Sequence, residues 1–206
     1  MNLKKASILL IIGLLYTCIY KLIKGLFPIL TKITILNTVL SILWILSALT
    51  IIVFIVHFLR ETKSQVVSIR LPLYLIIIFT SIVIIIKLTQ GIIPNDGITS
   101  RLIYNLPVLL NSISILYFLV SFYRLNSIES LKGSIKLIIW GFILGVTLGM
   151  IKFGGYLYFI ISKTESYILV KFQVIAILIF VFTYYTIINF LIRLIKVENY
   201  STIFKT

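Results

Sequence analysis

Three lysines interrupt long apolar runs, at Lys21, Lys87 and Lys152, spaced 66 and 65 residues apart. An ionisable side chain at membrane depth is costly to hold and commonly marks a site for a charged partner. Three cations converging on one interior would attract an anionic group, either a small solute or a lipid headgroup. The alternative is that each lysine snorkels to the membrane surface. Residues 6–20 and 137–151 are runs of 15 uncharged positions ahead of Lys21 and Lys152, and residues 71–86 are a run of 16 ahead of Lys87. At 1.5 Å per residue, such a lysine lies about 22 Å into a hydrocarbon core of about 30 Å. The remaining distance, about 8 Å, is one that a lysine stem and local bilayer thinning can nearly cover. Spacing leaves both readings open.

The surroundings of the lysines recur. Lys21-Leu22 is followed by Gly25 and Pro28, and Lys87-Leu88 by Gly91 and Pro94 at the same offsets. Lys152 keeps an apolar neighbour and glycines at 154 and 155 but has no proline. Each lysine segment is followed by an apolar segment closed by arginine: His57-Phe58-Leu59-Arg60, Ser121-Phe122-Tyr123-Arg124 and Phe190-Leu191-Ile192-Arg193. This periodicity predicts three tandem two-helix hairpins in one orientation.

A second constellation is Gly141, Gly145 and Gly149. Glycines four apart share one helix face and let another helix approach closely, within the chain or across an association surface. A bulky replacement of the central Gly145 is expected to damage that packing. Asn37, Asn105, Asn111 and Gln173 read as hydrogen-bonding glue between helices. Trp44, Trp140, Tyr156, Tyr158 and Tyr167 read as core fillers or interface anchors. The sole histidine, His57, beside Arg60 and Glu61, reads as a polar tip with a pH-sensing role as the alternative.

Catalytic chemistry finds little support. The five acids, Glu61, Asp96, Glu129, Glu165 and Glu198, are all expected in loops or tails, whereas proton and cation pumps commonly carry a carboxylate at depth. There is no phosphate-binding loop, zinc signature or serine elbow. The single Cys18 has no partner for a disulfide. We assign no catalytic residue, no metal ligand and no cofactor.

The elements that must position these residues follow from composition. Of the 206 residues 61% are hydrophobic and 12% charged, with mean hydropathy +1.19, far outside the range of soluble domains. Runs that stay apolar throughout exclude the alternating pattern of membrane barrels. The expected fold is an all-α, polytopic transmembrane bundle, a single integral membrane domain over 1–206. Its six spans are placed near 7–29, 34–58, 71–93, 102–123, 137–161 and 170–192. Pro94-Asn95-Asp96-Gly97 is a strong turn signal, and 126–130 with 132–134 reads as a polar loop. The net charge of +14 comes from basic residues set singly between spans, which suits anionic headgroups and not nucleic acid. Lys4-Lys5 and the apolar run behind them resemble a signal peptide. Tyr16 and Thr17 suit a cleavage site before Cys18 poorly, so an uncleaved first span is expected.

With the amino terminus inside, the inner regions carry Lys4, Lys5, Arg60, Lys63, Arg70, Arg124, Lys132, Lys136, Arg193, Lys196 and Lys205, and the outer ones Lys24, Lys32, Arg101, Lys163 and Lys171, 11 against 5. Both termini are therefore expected in the cytoplasm of a cell whose plasma membrane holds the chain. Two functions from different classes fit, the first being the expected one and the second its alternative. One is a non-enzymatic subunit that binds other membrane subunits or a second copy of itself. The other is a small transporter or channel for an anionic or lipid-like solute. A central polar cavity reached by the three lysines would favour the second. Reporter fusions after residues 65, 97, 130 and 206 should read inside, outside, inside and inside. An outside reading at the carboxyl terminus would require an odd number of spans.

Overall fold

The computed structural model describes residues 2–26, 34–62, 67–89, 99–126, 128–162 and 173–197, together with Tyr200 and Ile203. Six helices carry almost all of them: α1 (Leu3–Leu26), α2 (Thr34–Thr62), α3 (Val67–Thr89), α4 (Thr99–Leu125), α5 (Glu129–Ser162) and α6 (Gln173–Ile195). Each is long and apolar enough to cross a bilayer. The chain is thus a multi-pass, all-α membrane bundle. Helices are the outcome hydrocarbon demands, since a helix satisfies its backbone hydrogen bonds within itself. Pro72 and Pro107 lie inside α3 and α4 without ending them, as membrane helices tolerate.

Several helices begin or end beyond the apolar runs, because flanking Lys, Arg and Glu are good helix formers that continue the helix into the interface. The far ends expected for the first and third spans, and the turn at 94–97, lie outside the described residues. One expectation is corrected. Residues 129–134 are the opening turns of α5 and not a loop. Leu131, Ile135 and Ile138 are fully buried, an i, i+4, i+7 stripe that marks an amphipathic helix. Asn126 turns the chain into it: its Oδ1 accepts from the Ile128 N–H and its Nδ2 donates to the Ile128 carbonyl, both at 3.0 Å. Glu129 suits the positive end of the α5 dipole and pairs with Lys132 at 2.8 Å. At 34 residues α5 is about 51 Å long, more than the hydrocarbon needs, so its first turns extend past it. Glu61 is likewise helical, in the last turn of α2, and accepts from the Leu3 N–H at 2.6 Å, capping α1.

Among the described residues the helices close into a ring. Each packs on its chain neighbour, and α6 returns to α1. The most extensive contacts are α1 with α2, α3 with α4, and α5 with α6, the three hairpins; α2 with α3 is the least extensive. Small or hydroxyl residues make the seams. Between α1 and α2, Thr17 donates to the Gly13 carbonyl at 2.9 Å, and Ser47 reaches the same carbonyl from α2. The two hydroxyls lie 2.6 Å apart, and Thr50 donates to the Ser47 carbonyl at 2.6 Å. Between α3 and α4, Asn111 Nδ2 donates to Thr80 Oγ1 at 3.3 Å. Outward faces carry apolar residues such as Ile12, Leu46, Ile85, Leu88 and Leu178, where lipid replaces water as their surroundings.

One end of the ring is filled. Phe58, Phe122 and Phe190, from α2, α4 and α6, meet edge to face, with centroids 5.7 Å apart for the first pair and 5.9 Å for the second. Phe118 adds an edge contact to Phe58 at 5.8 Å. Around them Leu3, Ile69, Leu131, Leu194 and Ile203 have no more than 1% exposure, so residues beyond α6 fold onto this seal. Tyr200 joins the same cluster, where burial first and Glu61 second push its phenol above the ordinary range. By the basic-residue count this is the end expected in the cytoplasm.

Gly13 sets the tightest seam. A Cβ there would lie 2.5 Å from Thr50 Oγ1 and 3.1 Å from Ser47 Oγ, both held by hydrogen bonds. Gly13→Ala should lower stability by about 1–3 kcal/mol through overpacking. At Gly133, where nothing lies within 4 Å, alanine should add roughly 0.5–1 kcal/mol by helix propensity. Melting in detergent distinguishes the two; equal shifts would contradict the close α1–α2 approach.

Candidate functional site

The other half of the ring is hollow. A cavity of about 810 Å³ lies between the helices and takes lining residues from all six, among them Lys21, Trp44, Lys87, Asn105, Gly145 and Phe180. The seal and the hollow follow from side-chain size along the inward faces. At the seal these faces present phenylalanine and leucine; at the cavity small residues such as Ala48, Thr80, Gly141, Gly145 and Ala176 stand among larger ones such as Trp44 and Phe180. None of the described lining residues is acidic.

The lysine positions lie on the inward faces by helix register. Leu3, Ile69 and Ser134 stand 18 residues before the three lysines; Ser7, Leu73 and Ile138 stand 14 before; Leu10, Ile76 and Gly141 stand 11 before. All nine are buried. At 3.6 residues per turn these offsets fall within about 40° of the lysine's own direction. The three odd helices therefore bury the same stripe, and the lysine position of each lies at the far end of that stripe.

Lys21 and Lys87 line the cavity. Lys21 Nζ stands 4.3 Å from the centroid of the Phe180 ring on α6, a cation–π contact across the α1–α6 seam. Lys152 occupies the equivalent place on α5; its side chain lies outside those described. Thr80 is seven residues, about 10 Å along the axis, below Lys87. There the Thr80–Asn111 pair supplies neutral donors and acceptors, and the Oδ1 of Asn111 is buried with no hydrogen-bond partner. The cavity thus combines apolar walls, neutral polar groups and cations. It is suited to holding an anion with an apolar portion and lacks a described carboxylate for moving protons.

The glycine face divides. At Gly141 a Cβ would lie 2.6 Å from Thr183 Oγ1, so α5 and α6 touch there. At Gly149 the nearest atom is Leu109 Cδ1 at 3.5 Å, ordinary contact, and at Gly145 nothing lies within 4 Å. Gly145 borders the cavity and a side pocket of about 120 Å³ between α4 and α5. The packing-sensitive position is therefore Gly141, and the expectation placed on Gly145 moves to it.

Other side chains named from sequence separate. Asn105 and Asn111 line the cavity, Asn37 is exposed, and the side chains of Gln173, Tyr156, Tyr158 and Tyr167 are not among those described. Trp44 faces the cavity, whereas Trp140 is 55% exposed on the outside of α5. His57 sits near the sealed end, with Nδ1 buried and without a partner. Thr80, Thr183 and Phe180 carry no motif of their own, and Thr17 stands out in the sequence only as a neighbour of Cys18. Spacing could have found two of them, since Thr17 precedes Lys21 by four residues and Thr80 precedes Lys87 by seven. Comparison with protein families, curated proteins and solved structures finds no match for the chain.

Gly141→Leu should lower the melting temperature markedly, because it drives α5 and α6 apart. Gly145→Leu should keep the fold within about 1 kcal/mol while filling part of the cavity. A greater loss from Gly145→Leu than from Gly141→Leu would overturn this assignment.

Proposed function

We propose that the chain binds an anionic, lipid-like solute in the central cavity, with Lys21, Lys87 and Lys152 meeting the anionic group. The observation that supports this is the cavity itself, lined by two of these lysines and by no described acid. Its volume of about 810 Å³ falls in the range of small-molecule sites, about 300–1,000 Å³. Apolar walls favour a ligand with a hydrocarbon or aromatic part. Cations in surroundings of reduced dielectric bind an anion more strongly than they would in water. On the basic-residue count, the chain sits in the plasma membrane with both termini in the cytoplasm, and the cavity lies toward the outer half.

The competing function, a subunit that binds other membrane proteins, rests on the missing catalytic set, the short loops and the glycine face. That face is used internally, against Thr183 at Gly141 and on the cavity at Gly145, so it lends that reading less weight.

Native mass spectrometry of the protein from mild detergent tests the proposal, with phosphatidylglycerol as the anionic probe and phosphatidylcholine as the zwitterionic one. The native chain should retain phosphatidylglycerol preferentially. The triple variant Lys21→Gln, Lys87→Gln, Lys152→Gln should retain it at least about tenfold less, the equivalent of about 1.4 kcal/mol. Identical adducts in the two chains would remove the anion site, and a co-purifying polypeptide would point to the subunit function.

A further inference from the structure

We propose that the phenylalanine seal is the inner gate of a permeation path, so that the chain passes its solute across the membrane instead of only holding it. This rests on the anion-binding reading of the cavity above it. Three observations carry the inference.

The first is coaxial placement. The cavity draws lining from all six helices, and the seal is built from α2, α4 and α6 of the same ring. The seal therefore stands at the base of the cavity, on the axis that the six described helices enclose. Removing it would join the cavity to the far side.

The second is the kind of closure. Phe58, Phe122 and Phe190 meet through edge-to-face ring contacts between helices that are not neighbours in the ring. Ring contacts of this sort are individually modest and side chains can change rotamer without the helices parting. Hydrophobic constrictions of this kind gate other pores by excluding water.

The third is polarity inside the seal. Leu3 and Ile69 share one buried cluster with the phenylalanines, and the Arg193 contact with the Ser130 carbonyl sets Ser134 near Phe190 in height. Ser7 follows one turn above Leu3. Ser7 and Ser134 are 0% and 3% exposed, yet their hydroxyls have no hydrogen-bond partner. A purely structural plug gains nothing from two unsatisfied hydroxyls. A path that is wetted when open satisfies both, and both lie on the same stripe as the lysines.

The test uses the full chain in proteoliposomes, with entrapped carboxyfluorescein as the anionic probe and a rhodamine cation of similar size as the control. Phe122 touches both other rings of the seal, so Phe122→Ala should raise anion efflux by at least about tenfold, because loss of a core ring weakens the closed state. The cation should stay near its original rate. In a Cys18→Ser background, Ser7→Cys should react with a membrane-impermeant thiol reagent when Phe122→Ala is present and resist it when Phe122 is intact. If Phe122→Ala does not fold, Phe190→Leu gives the same two readouts with a smaller loss of volume. A folded variant with unchanged efflux and an unreactive Cys at position 7 would overturn the gate. The lysine variants separate this from the underlying reading. If Phe122→Ala leaks anion and cation alike and the triple glutamine variant keeps its phosphatidylglycerol, the gate stands and the anion site falls. If phosphatidylglycerol is lost with the lysines but efflux never rises, the site stands and the gate falls.

Discussion

Hydrocarbon offers polar groups no hydrogen-bond partner, and the arrangement of this chain follows from where its hydroxyls, amides and lysines can go. Many of them lie along the buried stripe of their helix, among them Thr17, Thr80 and Thr183. Burying six such stripes at once, with apolar residues left facing lipid, closes the helices into a ring. Hydroxyl-to-carbonyl contacts at Gly13, the Thr80–Asn111 pair and the Gly141–Thr183 contact bind the hairpins. In lipid these seams are held by packing and hydrogen bonding, since apolar contact alone gains little where the solvent is itself apolar.

A ring of six leaves an axis to be filled, and side-chain volume decides how far it is. At the sealed end large rings and leucines reach across. Toward the other end glycine, alanine, serine and threonine enter among the larger residues and the axis stays open. The lysines stand on the stripe where filling ends. Their cost at membrane depth is reduced if they border a polar space and not lipid, and the contact of Lys21 with Phe180 adds a further favourable interaction. One pattern thus produces a sealed half and an open half, the arrangement on which the proposed binding site and gate rest.

Much of this was legible in the sequence. Long apolar runs, three of them carrying a single lysine, told of six helices, because length and hydropathy decide which segments cross a bilayer. The recurrence around Lys21, Lys87 and Lys152 pointed to hairpins, and the arginine-closed segments carried the three phenylalanines that meet at the seal. What escaped were features set by packing partners. Residues 129–134 are polar enough to read as loop, and only the buried Leu131–Ile135–Ile138 stripe marks them as helix. Gly141 and Gly145 are equivalent in spacing, but one faces Thr183 and the other faces open space, a difference that depends on α6. Phe180 and the cavity-lining threonines resemble any other residue of an apolar helix until the ring is closed.

The central claim is that Lys21, Lys87 and Lys152 share one water-accessible interior. The most direct measurement places a single cysteine at 21, 87 or 152 in turn, in a Cys18→Ser background, and follows its reaction with impermeant thiol reagents in bilayers. Cysteine at Ile85, whose side chain is 58% exposed on the outer face, serves as the lipid-facing control. The account predicts that all three sites react, that an anionic reagent outpaces a cationic one because two lysines remain, and that position 85 is inert. Three sites as unreactive as position 85 would contradict it, and would mean that the lysines reach the membrane surface through lipid.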